Sequence, residues 1–184
     1  AHFDIQNKVG QQDDFHHVLQ AIVNTVDKYQ WVFMGAYPMS FRDLIKAGKM
    51  EFHPWVPLYK YPERIKELKV NAMVAPLQNN NFNKAKSNLK FIEACALGLP
   101  IVCQDMCTYE DAFYKFNTGD ELIDQLKTIF SGLNSYMRDS KRHRQFAENL
   151  WLEDNIEKYY ELYKYPYGSK ERVQLNKLNN IVAV

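Results

Sequence analysis

Hydrophobic positions in the first hundred residues alternate between short apolar runs and segments in which apolar residues recur every three or four positions. The apolar runs predict four β-strands, over residues 30–36, 50–56, 70–76 and 99–104. The periodic segments predict four helices, over residues 15–29, 41–47, 61–68 and 87–97. Repeated strand, helix and strand units with short connections predict a Rossmann-like α/β fold: a doubly wound, mostly parallel sheet with helices on both faces.

The second half of the chain has a different pattern, because strand signals are scarce after residue 104. Three further helices are predicted, over residues 120–130, 135–150 and 154–163. Residues 165–184 contain Pro, Gly and several Asn, and predict an extended tail. We therefore expect one domain over residues 1–164, with a helical C-terminal segment, followed by the tail.

Charge and composition exclude several classes of protein. Lys and Arg number 23 against 22 Asp and Glu, so no global field attracts nucleic acid, and any polyanion must bind locally. No apolar run approaches the length of about 18 residues that spans a bilayer. The three cysteines, Cys95, Cys103 and Cys107, are odd in number and lack zinc spacing. We expect a cytoplasmic protein without disulfides, without a metal and without a nucleic-acid partner.

The polar connection between the third and fourth predicted strands is the strongest candidate for chemistry. Ligands of open α/β sheets bind beyond the carboxyl ends of the strands, where this connection lies. The helix predicted from Ser87 has Lys84 and Lys86 in its first turn, where positive charge opposes the helix dipole. An anion between them removes that cost, so a phosphate is expected here. The segment lacks the glycines of a Walker loop or a dinucleotide loop.

Three charged residues, Lys86, Lys90 and Glu93, recur at helical spacing and are expected to share one face. They could contact one ligand, with Glu93 accepting hydrogen bonds from two adjacent hydroxyls such as those of a ribose. The structural alternative is that Ser87 caps the helix and that Lys90 pairs with Glu93. Charge placement alone favours this alternative.

Residues 76–102 read PLQNNNFNKAKSNLKFIEACALGLPIV and contain the pattern F-N-x-x-K-S-x-x-K-x-x-E-x-x-x-x-G-x-P. This segment resembles the donor site of bacterial and phage glycosyltransferases of the GT-B fold, in the group 1-like class. Residues 1–4, 31–38 and 61–62 are similar to earlier parts of the C-terminal half of such enzymes. The resemblance spans residues 1–163 and implies that the chain is this half, cut from a longer protein and without its first strand.

The resemblance implies a function and a set of site residues. The C-terminal half of these enzymes holds a nucleoside-diphosphate sugar, whose sugar passes to an acceptor bound by the N-terminal half. Two catalytic residues are expected: Glu93 would bind the ribose, and Lys86 would stabilise the leaving diphosphate without a metal or other cofactor. The base would be received at residues 53–56. The expected substrate-binding residues are Gly35, His53, Pro54, Trp55, Val56, Phe82, Asn83, Lys84, Ser87, Asn88 and Lys90.

Other interpretations stay open beside the resemblance. Many retaining members carry a second glutamate eight residues before the ribose-binding one, where this chain has Ala85, so the sugar and the stereochemistry are unassigned. The alternative function is a non-catalytic Rossmann-like binding or assembly module.

Trp55 also fits a core aromatic, and His53 fits a hydrogen-bonded loop residue. Trp151 fits either a core shared by the C-terminal helices or a surface that packs on the acceptor half. The isolated domain is expected to be inactive, and the longer protein is compatible with peripheral membrane contact.

Overall fold

The computed structural model describes residues 14–164, apart from the side chains at 158, 159 and 161–164. The extended tail predicted for residues 165–184 and the segment at residues 1–4 lie outside the described residues. The strands are β1 (Trp31–Met34), β2 (Met50–His53), β3 (Met73–Ala75), β4 (Ile101–Gln104) and β5 (Tyr114–Phe116). The helices are α1 (Leu19–Val23), α2 (Arg42–Lys46), α3 (Tyr61–Glu67), α4 (Asn81–Lys84), α5 (Leu89–Ala96), α6 (Gly119–Ile129), α7 (Leu133–Glu148) and α8 (Leu152–Lys164). Short 3-10 turns lie at His16–Val18, Met39–Phe41, Leu58–Lys60 and Cys107–Tyr109.

All the strand pairs are parallel, and they form two groups. β1 pairs with β2, while β4 lies between β3 and β5. One apolar core joins the groups, because Phe33 and Met50 of the first lie in the same buried cluster as Val102 and Phe116 of the second. The predicted Rossmann-like α/β class is confirmed, although the strands form two small sheets within the described residues.

Helix α5 carries the predicted site residues Lys90 and Glu93 and is fixed by α7. Phe91 of α5 is fully buried and packs on Phe146 of α7, with ring centres 4.9 Å apart. Gly98 ends the α5 segment at a φ of +67°, a conformation that glycine adopts without strain. Two α7 side chains then bind the carbonyls at this end: Ser140 Oγ donates to Gly98 O (2.6 Å) and Arg144 donates to Ala96 O (2.9 Å). The carboxyl end of α5 is therefore held in place.

A buried histidine of α7 connects this helix to β4. His143 Nδ1 donates to the carbonyl of Asp139 (2.7 Å), and its Nε2 accepts from the backbone N–H of Ile101 (3.3 Å). One ring nitrogen donates and the other accepts, so the imidazole is neutral. Burial lowers the pKa of His143, which agrees with this state.

Several element predictions were wrong in detail. The helix predicted over residues 15–29 ends at Val23, where Thr25 Oγ1 donates to the carbonyls of Ala21 and Ile22. Such local side-chain bonds compete with continued helix. Strand β5 was not predicted, because a three-residue strand gives too little alternation to recognise. The predicted polar loop contains the short helix α4.

The last helix exposes apolar side chains. Leu152, Ile156 and Tyr160 recur every four residues along α8, and all three are exposed. Trp151 is half exposed, so the interpretation of Trp151 as part of a core among the C-terminal helices is wrong. In the part of the chain that the structure describes, every helix is too short or too polar to cross a membrane.

Candidate functional site

The connection from β3 to α5 has a different geometry from the predicted one. Asn80 caps α4, since its side-chain oxygen accepts from the N–H of Asn83 (2.8 Å). Helix α5 begins only at Leu89, after the N-cap residue Asn88, which makes no side-chain capping bond. The predicted helix start at Ser87 and the predicted capping by Ser87 are therefore wrong.

The helix-dipole explanation of the lysines must be corrected accordingly. Lys84 lies in the last turn of α4, where a cation is favourable. Lys86 lies between the two helices and not in the first turn of either. Neither lysine opposes a helix dipole, so the dipole does not favour a bound anion here. An anion site depends instead on the groups that surround the two ammonium groups.

Buried polar side chains hold this connection from beneath. Asp14 Oδ1 accepts from Asn83 Nδ2 (2.7 Å) and from the backbone N–H of Gln78 (3.0 Å). Asn83 Nδ2 also donates to the carbonyl of Gln78 (2.9 Å). On the other side, Thr108 Oγ1 donates to the carbonyl of Asn83 (2.7 Å). Residues 78 to 83 are therefore fixed by partners that are distant in the sequence.

The side chain of Asn83 is only 2% exposed, and its amide nitrogen is used within the protein. Among the described residues its Oδ1 is buried without a hydrogen-bond partner. Direct contact of Asn83 with a ligand stays a prediction. The structure shows instead that Asn83 fixes the connection.

A cleft of about 440 Å³ opens beside this connection. Its walls are formed by Leu77, Phe82, Lys86, Ser87, Leu89, Lys90 and Tyr109. The cleft follows the carboxyl end of β3, the edge of a parallel sheet at which ligands bind. Four of the predicted site residues therefore line one cleft: the substrate-binding candidates Phe82, Ser87 and Lys90 and the catalytic candidate Lys86.

Each of the two cleft lysines is held by an aromatic ring and a polar partner. Lys86 Nζ lies 5.0 Å from the centre of the Phe82 ring and 3.6 Å from Asp14 Oδ2. Lys90 Nζ lies 4.6 Å from the centre of the Tyr61 ring and donates to Tyr61 Oη (2.9 Å). The two ammonium groups are thus ordered on the wall of the cleft.

The ion pair that was the structural alternative is present. Lys90 Nζ donates to Glu93 Oε2 at 2.8 Å. Burial alone would lower the pKa of Lys90, but the hydrogen bonds with Glu93 and Tyr61 outweigh it and raise the pKa. Lys90 is therefore a permanent cation at neutral pH. Glu93 is partly buried and is not among the residues that line the cleft, so its contact with a ribose stays a prediction.

A second group of predicted residues lies at the carboxyl ends of β1 and β2. The N–H of Gly35 donates to the carbonyl of His53 (2.8 Å). The indole of Trp55 lies over Gly35, where a Cβ atom would be 2.8 Å from its Nε1. Gly35 also has a φ of +87°. Both the contact with Trp55 and this backbone conformation therefore favour glycine at this position. Trp55 is 71% exposed, and its interpretation as a core aromatic is wrong.

His53 is hydrogen-bonded, as its alternative interpretation predicted, but it is the last residue of β2 and does not lie in a loop. Arg64 donates to His53 Nδ1 (3.0 Å), and His53 Nε2 lies 3.2 Å from Glu51 Oε2. Arginine can only donate, so the proton of the imidazole is on Nε2 and is donated to the carboxylate. Of its neighbours, Pro54 is exposed and Val56 is partly buried.

Three polar residues at the cleft, Asp14, Tyr61 and Tyr109, were not predicted. The apolar lining residues Leu77 and Leu89 were not predicted either. Asp14 gave only a weak signal, an acidic residue just before an apolar helical pattern. Tyr109 is buried at the cleft, and burial raises its pKa well above the ordinary value, so its hydroxyl stays protonated.

Another hollow, of about 680 Å³, lies beside residues 151–154. Among the side chains that the structure describes, its walls are those four consecutive residues, which include no cation and no converging set of polar groups. No group of three His, Cys, Asp or Glu side chains that could hold a metal occurs among residues 14–164.

Comparison of the chain with protein-family models, with curated proteins and with solved structures finds no match. The chemistry of the site must therefore come from its own residues.

Proposed function

We propose that this chain is the donor-binding domain of a glycosyltransferase. It binds a nucleoside-diphosphate sugar, and the sugar is transferred to an acceptor held by an N-terminal half. The observation that carries the proposal is the cleft beyond β3, which both Lys86 and Lys90 line and whose lining residues include no carboxylate. A diphosphate offers negative charge and acceptor oxygens to two ammonium groups that line one cleft.

The chemistry required of this site is stabilisation of a leaving group. When the bond between the anomeric carbon and the diphosphate oxygen breaks, negative charge grows on the nucleoside diphosphate. Lys86 and Lys90 are positioned to neutralise that charge, and the Ser87 hydroxyl can donate a further hydrogen bond. These groups need no metal for this step, so transfer without a metal is part of the proposal.

The role of Glu93 is compatible with its ion pair. Lys90 donates to Oε2 of Glu93, and a carboxylate accepts about four hydrogen bonds in all. Acceptor capacity therefore remains for the two hydroxyls of a ribose. Lys90 would then contact both a phosphate of the ligand in the cleft and the carboxylate of Glu93, and would connect the phosphate site to the ribose site.

The base is assigned to the segment after β2. The exposed indole of Trp55 lies flat over Gly35 and presents a wide aromatic surface. Aromatic side chains bind nucleobases by stacking, without strong preference among the bases. This supports a nucleotide as the ligand and leaves the identity of its base open.

Two further features support a partner half and a cytoplasmic location. The exposed apolar residues along α8 and just before it, Trp151, Leu152, Ile156 and Tyr160, form a surface of the kind that packs on another domain. All three cysteines are free thiols, as a reducing compartment maintains them.

Two observations favour the alternative of a binding module without transfer activity. Glu93 lies outside the cleft lining and is paired with Lys90, and Ala85 stands where retaining relatives of this type place a second glutamate. Such a module would bind a nucleotide without transferring a sugar. Donor turnover in the presence of the N-terminal half separates the two functions.

The test of nucleotide binding is a calorimetric titration with UDP, GDP, ADP, CMP and dTDP and their sugars. At least one nucleoside diphosphate should bind, and Lys86→Gln and Lys90→Gln should each weaken it about tenfold, the loss of one charge-assisted hydrogen bond. Lys46→Gln is the matched control, because Lys46 is an exposed lysine at the end of α2 and is not among the residues that line the cleft. Equal affinity in all four proteins would contradict the proposal.

A further inference from the structure

The carboxylate of Asp14 is buried next to Lys86 of the cleft, and the proposed transfer reaction does not use it. Its side chain is 4% exposed. Oδ1 accepts from Asn83 and Gln78, which lie 69 and 64 residues further along the chain, and Oδ2 faces Lys86 Nζ at 3.6 Å. A buried carboxylate is costly unless it is paired, and all of these partners belong to the connection that forms the cleft.

We propose that Asp14 is the positioning residue for the diphosphate, an inference that rests on the proposed function. Lysine has a flexible chain of four carbons, and ordering it during binding costs conformational entropy. Asp14 and the Phe82 ring both lie close to the ammonium of Lys86 and hold it before a ligand arrives. An ammonium has three N–H donors, so donors remain for phosphate oxygens in the cleft.

The carboxylate of Asp14 has two possible effects on anion binding, and they have opposite signs, so the positioning role can be tested. A carboxylate near an anion site repels the anion, so removal of its charge tightens binding if charge alone matters. If Asp14 positions Lys86, removal of the same charge weakens binding, because Lys86 loses the partner that orders it. The two possibilities predict changes of opposite sign.

The decisive variant is Asp14→Asn, whose side-chain oxygen can still accept from Gln78 and Asn83 while the charge facing Lys86 is removed. Inorganic pyrophosphate is titrated by calorimetry into the wild-type chain, Asp14→Asn, Lys86→Gln and the double variant. Asp14→Asn should weaken binding about fivefold, as expected for one side chain that must be ordered on binding. In the Lys86→Gln background it should have no further effect.

Each other outcome overturns the inference in a recognisable way. Unchanged or tighter pyrophosphate binding by folded Asp14→Asn contradicts positioning and leaves the proposed function intact. Equal losses in both backgrounds show a general structural role for Asp14 that does not act through Lys86. Failure of the wild-type chain to bind pyrophosphate and every nucleoside diphosphate overturns the proposed function as well. If Asp14→Asn does not fold by circular dichroism, Asp14→Ser is used with the same expectations.

Discussion

Two connections at the same edge of the fold are built in opposite ways. Between β3 and α5, buried Asp14, Asn83 and Thr108 bind the backbone from beneath and leave two lysines on the cleft wall. Between β2 and α3, Trp55, Leu58 and Tyr59 are all largely exposed. The first connection is shaped by the protein itself, whereas the second offers aromatic surface without comparable support. The first connection thus offers an ordered site for the phosphates of a ligand, and the second offers exposed side chains for its base.

The largest expected effect breaks the ordered connection. Asn83→Ala removes two hydrogen bonds and takes a partner from the buried carboxylate of Asp14. We expect the free energy of unfolding to fall by about 3 kcal/mol. Trp55→Ala on the exposed connection should change it by less than about 0.5 kcal/mol. Urea denaturation measures both, and similar losses would contradict the difference between the connections.

A smaller effect separates the phosphate site from the base site. Trp55→Ala should weaken a nucleoside diphosphate about tenfold through lost stacking, and should leave inorganic pyrophosphate unchanged. Lys86→Gln should weaken both ligands, because both carry the diphosphate. Calorimetric titration of the two ligands into the two variants gives the comparison. Loss of pyrophosphate binding in Trp55→Ala would show that the two connections do not act separately.

The pH dependence of stability tests the support behind α5. His143 has a lowered pKa because it is buried, so the folded chain binds fewer protons than the unfolded chain. The contribution of neutral His143 to the free energy of unfolding is therefore fully present above the ordinary histidine pKa of about 6.5. It is lost as the pH falls below that value towards the lower pKa of the folded state. His143→Gln should remove this contribution, and exposed His16→Gln should retain it. Urea denaturation over about one pH unit on either side of 6.5 measures the slopes. Parallel slopes in the two variants would contradict the account.

The smallest effect concerns the thiols, two of which lie in the core around α5. Burial raises the pKa of Cys95 to about 12 and raises that of Cys103 as well, whereas Cys107 is exposed. Native protein should therefore react with a thiol reagent at Cys107 alone, and unfolded protein at all three cysteines. Mass spectrometry after labelling identifies the sites. Rapid labelling of Cys95 in native protein would show that α5 does not stay packed against α7.

Elements with strong local signals were predictable from the sequence. The unit of α5 and β4 has an apolar helical pattern, a glycine that ends the helix segment and a wholly buried strand. Helix α4 lacked such a signal. It depends on the cap from Asn80 and on the bond between Asn83 and Asp14, and the latter joins positions far apart in the chain. Local pattern cannot reveal a contact of that kind.

The candidate site was predictable to a similar degree. Lys86 and Lys90 were expected to lie together, and both line the cleft. The reason given for their positions was wrong, because α5 begins at Leu89 and not at Ser87. Tyr61, which orders Lys90, was not predicted, since it enters the site from the start of another helix.

The most direct test of the central claim is a pyrophosphate titration followed by amide resonances in a ¹H–¹⁵N NMR spectrum. If a diphosphate binds between the two cleft lysines, saturable shifts should centre on Lys86, Ser87, Leu89 and Lys90. Saturable shifts centred elsewhere, or none at millimolar pyrophosphate, would contradict the claim.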